Sequence, residues 1–196
     1  MKKIVSFLIS AFLLLSACSS SQANKPVTID YIKSDEDLYQ VMDILADELH
    51  IWRVTIDDEV AEEIEVSLRH FEKNLEQEPV AQFSTSLNQR SGPREISLII
   101  AQQTFESEYK FILATIDGDT VSSIEQIVSI NEPEAKGFSS IPYPAVAELG
   151  QELAIGALVM TDNEHSYTPS IALEEPLDPE QLTNFNHSFI LTMTIK

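Results

Sequence analysis

Beyond residue 50 the apolar positions of this chain recur at every second residue. Trp52, Val54 and Ile56 alternate with polar neighbours, as do Ile64, Val66, Leu68 and His70. The series continues through Ala81, Phe83, Thr85 and Leu87, then Ile96, Leu98 and Ile100, then Tyr109, Phe111 and Leu113. A period of two sends alternate side chains to opposite faces of a strand, so each run predicts a strand with one buried face. Turn-forming residues bound the runs: Asp57-Asp58, Asn74, Asn88 to Pro93, and Asp117-Gly118-Asp119. Thr120 to Ile130 fits either period. The Ile116 to Thr120 stretch has the chemistry of a hairpin turn, which favours a strand.

Asn131 to Gly150 contains Pro133, Pro142 and Pro144 and reads as a long connection. The alternation resumes at Leu153, Ile155, Ala157 and Val159. Tyr167 to Leu173, with Pro169 inside it, reads as a short edge strand. Asp178-Pro179-Glu180-Gln181 places a cap, a first-turn proline and a capping partner in order, predicting one helical turn to about Asn184. Phe189, Leu191, Met193 and Ile195 form a last strand.

Before residue 50 the pattern differs. Val27 to Ile32 reads as a short strand. From Ser34 to His50 the apolar residues Leu38, Val41, Met42, Leu45 and Leu49 fall at helical spacing. Ser34 caps this predicted helix, with Asp37 in capping-box position. Nine or ten strands with short turns and a single helix predict a mainly β fold, an antiparallel sandwich with one N-terminal amphipathic helix at 34–50. One β domain spans residues 27–196; the alternative is two smaller β units divided by the proline-containing stretch at 131–150.

The N-terminus carries a different signal. Lys2 and Lys3 precede an apolar run from Ile4 to Leu15, and Ser16-Ala17 then lead to Cys18. The run is too short for a stable span, which needs about 20 residues. It has the plan of a signal peptide over residues 1–17. Leu15-Ser16-Ala17-Cys18 resembles the lipobox of bacterial lipoproteins. That resemblance implies cleavage before Cys18 and lipid attachment there, with a cell-membrane location on the extracytoplasmic face. It would also explain the single cysteine of the chain, which has no partner for a disulfide. Residues 18–26 then form the lipidated cysteine and a small polar tether. A lipobox, a tether and an all-β body together resemble the immunoglobulin-like β-sandwich lipoproteins of Gram-positive bacteria. This likeness is one of layout and transfers no functional residue.

The formal charge of −20 argues against a nucleic-acid partner, since phosphate binding needs clustered Lys and Arg. It favours a cationic ligand or an envelope protein as partner. No nucleophile elbow, phosphate loop or dinucleotide fingerprint is present. His50, His70, His165 and His187 show no metal-ligand spacing, although His70 and His187 are each positioned to join a site built by the fold. Asp117-Gly118-Asp119 and Asp162-Asn163-Glu164 have calcium-type donors but complete no known loop. The sequence therefore assigns no catalytic residue, no metal ligand and no cofactor. Gly137 to Pro144 places Phe138, Ile141 and Tyr143 among prolines, and these three are the candidate ligand-binding residues. The expected role is a membrane-anchored, non-enzymatic binding module of the cell envelope. The alternative is an envelope enzyme or a calcium- or metal-dependent module using dispersed acidic and histidine residues.

Overall fold

The computed structural model describes residues 27–32, 46–57, 61–87, 92–130, 133–141, 144–162, 170–173 and 177–196. These form a mainly β structure of two antiparallel sheets. The strands are β1 (Val27–Ile32), β2 (Glu48–Ile56), β3 (Glu63–Glu72), β4 (Leu75–Glu76), β5 (Ala81–Ser86), β6 (Arg94–Phe105), β7 (Glu108–Asp117), β8 (Thr120–Ser129), β9 (Ala135–Ser140), β10 (Ala145–Ala147), β11 (Glu152–Thr161) and β12 (His187–Ile195). The first sheet has the order β10-β1-β2-β6-β7-β8. The second runs β4-β3-β12-β11-β9, and β5 also pairs with β3.

The alternation along the chain becomes two facing apolar layers. Trp52, Val54 and Ile56 from β2 and Phe111 and Leu113 from β7 meet Phe189, Leu191 and Met193 from β12 in one buried cluster. Phe111 and Phe189 touch across the sheets with ring centroids 4.8 Å apart. A buried hydrogen bond of 2.9 Å joins Thr85 to Thr115, again between sheets. The tight turns behave as their residues dictate. Gly118 takes φ 59° between β7 and β8, the left-handed geometry that two-residue hairpins require. Lys73 and Glu106 accept the same geometry at φ 59° and 54°, at a cost glycine would avoid.

The outer faces are not left bare. On the first sheet, Ile51, Ile99 and Ala114 form a second buried cluster, with Ile32, Leu49 and Ile116 packed against it. On the second, the connection from β11 to β12 brings Ile171, Leu173 and Leu182 into the main core. A 3-10 helix at Pro179–Asn184 holds Leu182, and Asp178 caps it by accepting from the Glu180 N–H at 2.9 Å, as its sequence predicts. Among the described residues no helix is long and apolar enough to cross a membrane.

Three expectations need correction. The predicted helix at 34–50 does not reach His50: residues 48–50 belong to β2, and positions 33–45 lie outside the described residues. Leu49 satisfies both periods, and the ladders from β2 to β1 and β6 decide in favour of the strand. The stretch 131–150 is more than a connection, because it supplies β9 to the second sheet and β10 to the first. The predicted edge strand at Tyr167–Leu173 is corrected in its described part: residues 170–173 are irregular with Ile171 and Leu173 buried, and 163–169 lie outside the described residues.

Candidate functional site

Two histidine-centred clusters stand out, one at each flank of the core. The first forms where β1, β2 and β9 converge. Tyr31, His50 and Trp52 point into the sandwich from the first sheet, and Phe138 reaches them from the second. The His50 ring lies flat on Phe138, with centroids 3.4 Å apart and planes within 10°. The Tyr31 hydroxyl and His50 Nδ1 share a hydrogen bond of 3.0 Å. Trp52 is edge-on to Tyr31 at 5.7 Å, and its indole N–H donates to Ser140 Oγ at 3.4 Å. Gly156, beside a bulge in β11, leaves the room that these rings fill. A Cβ there would lie 2.9 Å from both Phe138 and Trp52.

Glu48 and Lys136 close the mouth of this cluster with an ion pair of 2.8 Å. Burial pushes the Glu48 carboxyl up, but the adjacent His50 and Lys136 outweigh it and hold it below the ordinary range. Behind the pair is a cleft of about 10 Å³ lined by His50, Gln102, Phe111 and Phe138. That is room for one water molecule. Buried Gln102 Oε1 has no hydrogen-bond partner and His50 Nε2 has only the Glu48 carboxylate at 3.9 Å; these are the groups a water there would satisfy. The cleft is thus a packed structural feature, too small for an organic ligand.

This outcome revises the ligand-binding candidates. Phe138 sits on β9 and is half-buried between His50 and Trp52. Ile141 is buried in the core, and its N–H donates to the Ile155 carbonyl at 3.1 Å. Neither is an exposed anchor, because β9, which carries Phe138, and the residue that follows it, Ile141, pack against the core. Tyr143 and Cys18 lie outside the described residues. Among the calcium-type donors, Asp117 is buried at the end of β7 and Asp119 is exposed in the turn. Asp162 is engaged by the Asn186 amide at 2.7 Å, and Glu164 and His165 lie outside the described residues.

The second cluster forms at the end of the second sheet, where β3 and β12 pair. Their register sets His187 opposite Glu72 and Phe189 opposite His70, so all four side chains share the inner face. His70 stacks on Phe189 at 4.7 Å with planes 6° apart. Its Nε2 faces His187 Nδ1 at 3.1 Å. With Glu72 added, one donor atom from each of the three residues lies within 4.8 Å of the other two. His70 is buried, His187 half-buried and Glu72 exposed. Burial first, then the neighbouring His187, pushes the His70 pKa down against an opposing pull from Glu72. His70 is therefore held as a neutral imidazole near neutral pH, the form that binds metal.

Backbone bonds fix the frame around this cluster. The Lys73 N–H donates to the Asn186 carbonyl at 3.2 Å, and the Asn186 N–H donates to the Met160 carbonyl at 2.8 Å. The two histidines are 117 residues apart, and no local spacing announces their meeting. The only sequence signals were that His70 continues a core-face alternation and that His187 opens the last strand.

No curated protein matches the chain, and no solved structure does. The YgaN domain family model matches residues 28–195, spanning all twelve strands apart from the first residue of β1; the chain belongs to the YgaN domain family.

Proposed function

We propose that this chain is a lipid-anchored protein of the extracytoplasmic membrane face, whose immunoglobulin-like β body is a non-enzymatic module that binds an envelope partner. The observation that carries the reading is the position of the single cysteine, at the end of a lipobox-like Leu15-Ser16-Ala17-Cys18 behind a short apolar run. A lipidated Cys18 with two acyl chains would anchor stably where one chain would not. The two facing antiparallel sheets support the sandwich part of the reading.

A surface for the partner is available at β8, the last strand of the first sheet. Val121 and Ile127 are 62% and 56% exposed there. Val121 lies opposite Ile116, and Ile127 lies opposite Lys110, so both project from the outer face of the sheet. Exposed edges with alternating apolar residues suit the addition of an extended segment. The charge of −20 favours a basic one.

Membrane fractionation of cells expressing Cys18→Ala tests the anchor. Release of the protein from the membrane fraction is expected, and retention at the parent level would overturn the reading. Capture of envelope proteins by the parent chain but not by Ile127→Lys tests the edge.

A further inference from the structure

We propose that His70, His187 and Glu72 form a binding site for a divalent transition-metal ion, with zinc the best fit. This site is independent of the anchor and of the β8 edge. The argument begins with the donors. Two imidazole nitrogens and a carboxylate oxygen are a common zinc set, and three protein ligands leave a fourth position for water or a substrate group. Imidazole-rich sites discriminate against calcium and magnesium, which demand oxygen.

The geometry agrees with that chemistry. Tetrahedral zinc with bonds of about 2.0 to 2.1 Å holds neighbouring ligand atoms about 3.3 Å apart. His70 Nε2 and His187 Nδ1 are already 3.1 Å apart. Shared zinc ligation requires each of these nitrogens to present a lone pair, so it replaces their hydrogen bond. Glu72 stands directly opposite His187 in the ladder, and its exposed carboxylate has freedom to swing onto the ion. Glu72 also supplies a negative charge beside the two rings, lowering the cost of bringing a dication to a half-buried position.

The frame is stiff where it must be. Stacking on Phe189 fixes the His70 plane, and both histidines sit on paired strands rather than loops. Entry is from the rim, where His187 is half-buried and Glu72 exposed. A site on rigid strands with one open side is preorganised for binding.

The test is isothermal titration of zinc into the full chain carrying Cys18→Ser, which removes its one thiol. One tightly bound equivalent is expected, unaffected by excess calcium. His187→Ala should weaken binding by about 100-fold or more and Glu72→Gln by about 10-fold, while His50→Ala leaves it unchanged. Cobalt in place of zinc should give the visible absorption of a four- or five-coordinate site, lost in His187→Ala. Circular dichroism of each variant confirms the fold. Absence of a stoichiometric equivalent overturns the proposal. So does binding that survives both His187→Ala and Glu72→Gln, or that calcium displaces, since either result assigns the metal to the dispersed acidic surface.

Discussion

His50 and His70 meet their surroundings in the same way on one side and in opposite ways on the other. Each ring lies flat on a phenylalanine, His50 on Phe138 within 10° and His70 on Phe189 within 6°. Beyond the stack, His50 is enclosed. Tyr31 takes Nδ1, and the Glu48–Lys136 pair shuts the mouth of a cleft with room for one water. His70 instead faces a second imidazole, with a carboxylate at an open rim. One histidine is spent on joining the sheets. The other keeps a donor atom whose present partner is exchangeable. Two rings with similar stacking thus have different chemical prospects, and what separates them is the group each nitrogen meets beyond the stack.

The largest effect that would sharpen this contrast is at Gly156. Gly156→Val drives a side chain into Trp52 and Phe138, both already 2.9 Å from where a Cβ would sit. We expect a loss of about 3 kcal/mol, read from the urea midpoint. A parent-like midpoint would mean that the aromatic corner is loosely packed. Phe138→Ala follows, with a loss of about 2 to 3 kcal/mol for a partly exposed ring. His187→Ala should stay within about 1 kcal/mol, because it removes one hydrogen bond at a half-buried rim. Equal losses from Phe138→Ala and His187→Ala would erase the difference between an enclosed and an exchangeable histidine. Tyr31→Phe, which deletes the hydroxyl bonded to His50, should cost about 1 kcal/mol.

The smallest effects are those of pH, and they separate the clusters by window. His70 is held below its ordinary value of 6.5, so the folded state binds fewer protons than the unfolded one. Its contribution to stability is complete above about pH 6.5 and is lost as pH falls below that. Glu48 is held below its ordinary 4.5. Its contribution is complete above that value and is lost only in stronger acid, by about 1 kcal/mol or less for a partly exposed pair. Melting temperatures of the parent should therefore decline in two stages. His70→Asn removes the upper stage, and Glu48→Gln reduces the lower, to which Glu65 and Glu76 also contribute. A single stage in the parent, unchanged by His70→Asn, would contradict the assignment of the upper window.

The strands were legible because each carries its own evidence. Trp52, Val54 and Ile56, or Ile64, Val66 and Leu68, state by alternation alone which face is buried. The Asp117-Gly118-Asp119 turn resolved the ambiguous run after it into β8, and Asp178-Pro179 marked the 3-10 helix. β9 was hidden because prolines flank it and Gly137 interrupts it, so its pairing with β11 is a tertiary fact. Leu49 was misread because it fits a helical stripe and a strand equally well, and only its ladder partner Ala101 decides. The metal-type cluster had no local signature at all. It exists because β3 and β12 pair in a register that sets residue 187 beside residue 72, and register is a property of the sheet.

The placement of β1 has a mechanical consequence. It is held on both sides, by β10 through Val27 to Ile29 and by β2 along its whole length from Val27 to Ile32. A pull directed along β1 from Val27 loads the flanking hydrogen bonds together in shear instead of opening them one after another. In that direction the sheet offers its greatest resistance.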